Sequence, residues 1–379
     1  MGRRKMLGKN VWEEAVARME AVYRAGHRVV VSFSGGKDST CVLHVCLEAA
    51  KRTGRLPVEV VHRDEEICLP GTFDYCERVA ARPDVNFHWY YSYMAQPNIW
   101  NRSNPWYWTF DPEMDPDKWM RKPPVFAQFD SHACNQQTLS RLDNFPPAPG
   151  KHLVQVIGIR IDESRYRMMS IYSSKGFLSK PHDRIRTAKP IYDWRDKDVW
   201  LAMAKFKWDY NKAYDVLYKL GFKAARMRIG PVTTVPQGAD MLEAAAKAWP
   251  RWFDRLCVRC PGTRNAARFG KKLVQPRRKL NESWEECFWR ECVEEAPDWI
   301  ALRSAGVIEA ALAQHARHSS GELPQAKNCG LCTILPSWKE AAHKMWSGDP
   351  LVLLVKVQES VLPPMDPEDF RPGGLFHEE

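Results

Sequence analysis

Three groups of residues in this 379-residue chain combine side chains and spacing that can do chemistry. The first is the run Ser32-Phe33-Ser34-Gly35-Gly36-Lys37-Asp38-Ser39-Thr40, which follows the β-branched segment from Arg28 and opens a helix-patterned one. Adjacent glycines permit a tight turn that presents backbone N–H groups, and a helix N-terminus adds positive potential. The hydroxyls of Ser34, Ser39 and Thr40 add donors, so the run reads as a phosphate cradle. It lacks the G-x-x-x-x-G-K-[ST] spacing of kinase and GTPase loops. The second group is Gly158-Ile159-Arg160 with Arg167, whose guanidinium groups suit phosphate or an acidic substrate group. The third is the pair Cys257-Val258-Arg259-Cys260 and Cys329-Gly330-Leu331-Cys332. Each C-x-x-C can place two thiolates on one ion, so Cys257, Cys260, Cys329 and Cys332 together could close a tetrahedral site. Zn²⁺ and a [4Fe-4S] cluster both accept four thiolates, and spacing does not choose between them.

These residues need a scaffold, and hydropathy patterning supplies one. Val16, Met19, Val22 and Tyr23 recur at helical spacing, and Arg28 to Phe33 reads as a buried parallel strand. A helix from Asp38 to Ala50, a strand from Val58 to His62, a helix from Thr72 to Ala81, and strands at Phe87–Tyr91 and Leu153–Ile159 follow. Alternating strands and helices predict a doubly wound, mostly parallel α/β sheet. On this reading residues 1–230 form the nucleotide-binding domain, with a Trp- and Pro-rich insertion at 93–150. Residues 231–362 form a helical, basic, Cys-rich metal-binding region, in which Ala239 to Phe253 is expected as one helix. Residues 363–379 are expected as a flexible tail. Asp64 and Glu65 follow the second strand, where they could meet Mg²⁺ or a ribose, or remain solvated loop acids. Trp194 and Trp200 read as packing, and Asp198 as a cap or brace. Cys287 and Cys292 are expected to be structural, and Cys41, Cys46, Cys68 and Cys76 to pack in or near the sheet.

The run SFSGGKDST resembles the pyrophosphate-binding loop of the PP-loop ATP pyrophosphatase and phosphoadenosine phosphosulfate (PAPS) reductase superfamily. Gly158 to Arg167 is similar to its G-[IL]-R-x-x-[EQ]-S-x-x-R segment. Pro190-Ile191-Tyr192-Asp193-Trp194 through Asp198-Val199-Trp200 is similar to its P-[IL]-x-x-W-x-x-x-D-[VI]-W segment, and Tyr210 to Asp215 to its Y-N-x-[LA]-Y-D continuation. The resemblance spans about residues 28 to 230 and implies an adenine nucleotide alpha hydrolase-like fold. The insertion ending Trp119 to Pro124, with Met227-Arg228-Ile229-Gly230-Pro231, further resembles the large PAPS-reductase-like proteins typified by the regulator IbrA, which are described beside ParB-like partners. Cys329-Gly330-Leu331-Cys332-Thr333 is similar to a cluster-ligating CxxCT. It also resembles, loosely, a reductase segment carrying a nucleophilic cysteine, but with Cys332 where histidine would stand. The tandem Cys-Cys of adenylylsulfate reductases is missing, since Cys134 stands alone.

An intact Ser-Gly-Gly-Lys-Asp-Ser loop favours ATP with Mg²⁺, Lys37 neutralising the β,γ-pyrophosphate and Asp38 lying near the metal. The implied reaction is attack at the α-phosphate, giving an adenylated acceptor and pyrophosphate, with sulfur transfer to nucleic acid as one outcome. The alternatives are a thiol-dependent sulfonucleotide (PAPS or APS) reductase, and a non-catalytic nucleotide-sensing regulator or nucleic-acid-binding subunit. Expected catalytic residues are Lys37, Asp38, Arg160 and Arg167. Expected nucleotide contacts are Ser32, Ser34, Gly35, Gly36, Lys37, Asp38, Ser39, Thr40, Asp64, Glu65, Gly158 and Arg160.

The net charge of +10 sits in residues 151–300, which hold 30 of the 56 basic residues and 18 of the 46 acidic ones. Its densest part runs from Arg251 to Leu280. Arg264, Arg268, Lys271, Lys272, Arg277 and Arg278 around the first C-x-x-C suit a nucleic acid backbone or form a solvated face. The Trp insertion could stack bases or be buried. Apolar runs such as Leu351 to Val355 are too short to span a bilayer, and the basic N-terminus lacks an apolar h-region. A cytoplasmic protein without membrane contact is expected.

Overall fold

The computed structural model describes residues 8–131, 141–174, 176–230, 232–234 and 238–376; Cys134 lies outside them. Two compact units emerge, Met1–Met94 with Thr109–Pro231, and Ala95–Trp108 with Val232–Glu379.

The first unit is built on strands β1 (Arg28–Ser32), β2 (Val58–Asp64) and β3 (Val85–Tyr91). A short pair, β4 (Met94–Pro97) and β5 (Trp106–Thr109), forms a separate two-stranded sheet. β6 (Gln128–Phe129), β7 (Leu153–Val156) and β8 (Ile185–Ala188) complete the main sheet. Its order is β6-β3-β2-β1-β7-β8, with every neighbouring pair parallel and Val31 in register with Val60 on one side and Val156 on the other. Valines form these strands because β-branched side chains suit a pleated surface buried on both faces. Val29, Val31, Val58, Val60, Val154, Val156 and Trp89 belong to a core shared with helices α1 (Val11–Arg24) and α2 (Lys37–Thr53). Val30, Val61, Tyr90 and Leu153 point the other way, onto Phe145. Each fully buried valine contributes about 1.5–3 kcal/mol. Helix α1 is capped by Asn10, whose Oδ1 accepts the Trp12 N–H at 2.9 Å, and it buries the expected stripe of Val16, Met19, Val22 and Tyr23. Helices α3 (Thr72–Ala80), α4 (Arg165–Ser173), α5 (Asp196–Phe206) and α6 (Ala213–Lys219) also belong to this unit. Trp194 is fully buried, its Nε1 donating to the Val11 carbonyl at 3.1 Å.

The second unit is helical: α7 (Gly238–Ala248), α8 (Pro250–Arg259), α9 (Thr263–Phe269), α10 (Trp284–Trp289), α11 (Asp298–Ala316) and α12 (Trp338–Met345). The single helix expected over Ala239 to Phe253 is broken, because Pro250 removes an N–H and bars the residue before it from the helical region. Trp249 accordingly adopts φ −135°, ψ 64°. Three tryptophans of the insertion are buried, and Trp119 is half-buried. Trp100, Trp106 and Trp108 are no more than 7% exposed, with Trp100 Nε1 donating to Val232 O at 3.0 Å. Gly262, at φ +87°, lets this segment in, since a Cβ there would lie 2.1 Å from the Trp100 carbonyl oxygen. In the segment expected as a loose tail, Phe370 is seated in the second unit while Leu375 is exposed. Phe370 is 1% exposed, edge-on to Trp299 at 5.5 Å, and its carbonyl accepts Asn104 Nδ2 at 3.3 Å. Among the described residues no helix is long and apolar enough to cross a membrane.

Candidate functional site

From β1 the chain proceeds to β2 and β3 on one side, whereas β7 lies on the other. The loops leaving β1 and β7 at their carboxyl ends therefore diverge, and a ligand crevice opens at such a switch point. Here it is a cavity of about 790 Å³, lined from β1 by Ser32, Ser34 and Gly36 to Ser39, and from β7 by Ile157 to Arg160.

Two glycines shape it. Gly35 sits at φ +71°, where a Cβ would lie 3.0 Å from Thr72 Cγ2 and 3.1 Å from Cys76 Sγ. Gly158 passes so close to α2 that a Cβ would lie 2.9 Å from the carbonyl carbon of Asp38. The Tyr-Asn motif braces the loop from below. Asn211 Nδ2 donates to Gly35 O at 3.3 Å and to Thr72 Oγ1 at 2.9 Å, and Tyr214 Oη accepts the Lys37 N–H at 2.9 Å. That leaves the N–H groups of Asp38 and Ser39 as the donors the first turn of α2 cannot satisfy within the helix. Thr40, expected at the nucleotide, instead bonds Gly36 O at 2.8 Å and Tyr75 Oη at 3.0 Å. Ser39 Oγ lies 3.1 Å from Ser34 Oγ.

Charges alternate across the cavity. Lys37 is 6% exposed; its Nζ donates to Met227 O at 3.3 Å and lies 3.7 Å from Asp38 and 3.8 Å from Asp196. Arg160, 3% exposed, donates to Asp38 Oδ1 at 2.6 Å and lies 3.4 Å from Asp196 Oδ1. Arg167 pairs with Glu163. Burial, followed by the charge of Arg228, lowers its pKa from the usual arginine value. Lys37, Asp38, Arg160 and Arg167 are thus brought together as the sequence suggests. Asp196, Tyr214 and Arg228 join them in lining the cavity, and Asn211 braces the loop, without having been singled out, although all lie inside the motifs. Asp198 does cap α5, accepting the Arg195 N–H at 2.7 Å, while Asp196 faces the cavity.

The loop acids go elsewhere. Asp64, 2% exposed, accepts Trp89 Nε1 and the Glu66 N–H, each at 2.9 Å, and pairs with Arg121. Glu65 pairs with Arg63 and lines a smaller cavity of about 220 Å³ that shares Ser32, Ser34, Ile229 and Gly230 with the larger one.

In the second unit the expected four-cysteine set gives way to a mixed one. Cys329 and Cys332 gather with His315 and His318, the donor atoms all within 4.8 Å of one another, and neither Cys257 nor Cys260 belongs to this group. The first C-x-x-C falls on the end of α8, with Cys260 its buried C-cap, rather than on a free knuckle. The Leu331 N–H, His318 and the Cys332 N–H draw the Cys329 thiol down to about 6. Burial and the neighbouring Cys329 push Cys332 up to about 11. Cys287 and Cys292 are buried, as are Cys41, Cys46 and Cys76. Arg264, Arg268, Lys272, Arg277 and Arg278 are exposed, and the side chain of Lys271 lies outside the described residues. Arg264 pairs with Asp254 at 2.9 Å and Arg278 lies over the Trp284 ring at 5.4 Å.

The phosphoadenosine phosphosulfate reductase domain matches residues 28–224, more than half of the chain and all of the strands that build the crevice. The chain belongs to that family. The uncharacterized protein YbdN of Escherichia coli (strain K12) is 28% identical over 374 residues, covering 90% of this chain and 88% of its own. Among solved structures, similarity reaches FMN adenylyltransferase of Candida glabrata, at 12% identity and TM-score 0.34. That match covers 56% of this chain and 62% of that one. PAPS reductase from Candida auris in a phosphate complex is 16% identical with TM-score 0.30, covering 62% and 100%. The U34-tRNA thiolase NcsA of Methanococcus maripaludis with its [4Fe-4S] cluster is 12% identical with TM-score 0.29, covering 71% and 82%. Within the PAPS reductase domain of this chain, every crevice residue from Ser32 to Tyr214 falls inside the matched span, and Met227 to Gly230 extend the wall beyond it.

Proposed function

We propose that the crevice binds ATP with Mg²⁺ and directs an acceptor to the α-phosphate. The observation that carries this reading is the convergence of Lys37, Arg160 and Arg167 with Asp38 and Asp196 at the N-terminus of α2. Cations and free amides match a triphosphate chain, and the carboxylates offer hard oxygen ligands to Mg²⁺. An acceptor oxygen attacks the α-phosphorus, the bond to the bridging oxygen of the β-phosphate breaks, and pyrophosphate leaves. Positioning and charge stabilisation carry the rate. No cysteine lines the larger cavity among the described residues, which weighs against thiol-dependent reduction there. The exposed cations of the second unit support a polyanionic acceptor such as nucleic acid.

Calorimetric titration with Mg·ATP and with AMP tests the assignment. Lys37→Ala should weaken Mg·ATP binding at least about tenfold, or ~1.4 kcal/mol, at an unchanged circular dichroism spectrum. AMP should bind more weakly than ATP. Equal affinity for AMP and ATP, or wild-type Mg·ATP binding by the variant, overturns the assignment. Pyrophosphate release in the presence of RNA or DNA then reports turnover.

A further inference from the structure

We propose that His315, His318, Cys329 and Cys332 form a closed, structural Zn²⁺ site in the second unit. His315 lies in the last turn of α11 and His318 one helical turn beyond it, so both imidazoles share a face. The cysteines come from the connection 317–337, which carries no helix or strand. In the structure His315 Nδ1 is 3.2 Å from Cys332 Sγ, and His318 Nε2 is 3.5 Å from both sulfurs. A tetrahedral ion with ligand bonds of about 2.0–2.3 Å has donor-to-donor edges of roughly 3.3–3.8 Å; three of the six donor pairs lie at 3.2–3.5 Å, and all four donors lie within 4.8 Å of one another. A single imidazole N–H cannot point at two sulfurs, whereas one central ion satisfies all four donors. His315 is 5% exposed and, among the described residues, its Nε2 has no hydrogen-bond partner, so what fixes this buried ring lies on the cluster side.

The frame is prepared without the ion. Gln314 Oε1 accepts the N–H groups of Thr333 and Ile334 at 2.9 and 3.1 Å, and its Nε2 donates to Thr333 Oγ1 at 2.8 Å. The Cys329 N–H donates to Pro336 O at 2.8 Å. Cys332 is seated in the core with Leu323, Leu335 and Trp338. Two nitrogens and two sulfurs suit Zn²⁺; a [4Fe-4S] cluster takes four thiolates and Mg²⁺ takes oxygens. Four protein ligands leave no open position, so the ion holds the connection against α11 instead of activating water. Both cysteines bind as thiolates, so uptake of the ion releases to solvent whatever protons the two sulfurs still carry. This inference stands independently of the nucleotide reading.

The test uses the full chain purified under reducing conditions and analysed for metals by mass spectrometry. About one Zn²⁺ per chain is expected, and cobalt exchange should give the visible bands of tetrahedral Co²⁺ with thiolate charge transfer. Cys332→Ser and His318→Ala should each lower zinc content at least about tenfold; His318 is exposed, so its variant keeps the core intact. Cys257→Ser should retain the zinc. Thermal unfolding should shift downward on chelation. Metal-free protein that takes up no Co²⁺, an iron-sulfur spectrum, or zinc lost from Cys257→Ser and kept by His318→Ala overturns the proposal.

Discussion

Replacing Gly158 by alanine would place a methyl carbon 2.9 Å from the Asp38 carbonyl carbon, and 3.1 Å from both the Asp38 oxygen and the Ser39 nitrogen. Ordinary contact between such atoms is about 3.5–4.0 Å, so roughly half an ångström or more must be recovered. Every atom in the way is backbone, so no side chain can swing aside. Either the loop after β7 or the first turn of α2 must move, at about 1–3 kcal/mol for overpacking. The displacement falls where Asp38 holds Arg160 at 2.6 Å, and an error of about 1 Å in such a constellation can cost on the order of 10²-fold. Urea unfolding followed by circular dichroism, together with Mg·ATP titration, reads both effects. Gly158→Ala should unfold at lower denaturant and bind Mg·ATP at least tenfold more weakly. A wild-type midpoint would refute the packing argument, and a destabilised variant with wild-type affinity would refute the link from packing to site.

Gly306 supplies the opposite case. It sits inside α11, and a Cβ there would meet only the Val361 oxygen at 3.8 Å. Gly306→Ala should therefore stabilise the chain by about 0.5–1 kcal/mol, read as a higher unfolding midpoint. His44 on α2 stacks on Trp208 at 4.1 Å, and burial, aided by Arg82, lowers its pKa to about 3. Because the folded pKa lies below the ordinary 6.5, the neutral ring's contribution is complete above pH 6.5. It is lost as the pH falls from there toward 3, by as much as about 4 kcal/mol. His44→Phe keeps the stack and removes the proton, so the difference in unfolding free energy between wild type and variant should change across that window and stay flat above pH 7.

The first sheet and its loop were legible because their signals are local. Consecutive valines at 29–31 pack both faces of a strand wherever it pairs, and Gly35-Gly36 before a helix can only turn. Asp196 and Asp198 show where local reading ends. They flank one lysine at the start of α5, and only the rotation of that helix sends Asp198 back to the Arg195 N–H and Asp196 toward Lys37 and Arg160. The break at Trp249 was readable from Pro250, yet apolar periodicity running on either side masked it. Trp100, Trp106 and Trp108 look like an insertion of the first domain, yet they pack in the second unit, where Trp100 meets the backbone at Gly262 in an approach that no spacing encodes.

By itself the sequence determined the glycine loop between strand and helix, the parallel α/β scaffold and the cations at its edge, since each follows from side chains within a few residues of one another. Only the tertiary structure decided which donors meet across long separations. It aimed Asp64 at Arg121 instead of the crevice, brought Asn211 and Tyr214 beneath Gly35 and Lys37, and set His315 and His318 beside Cys329 and Cys332 while Cys260 closed a helix end. A C-x-x-C spacing states that two sulfurs can reach one ion. Which other groups reach it is a matter of how α11 and the connection after it pack, and packing is a property of the whole core.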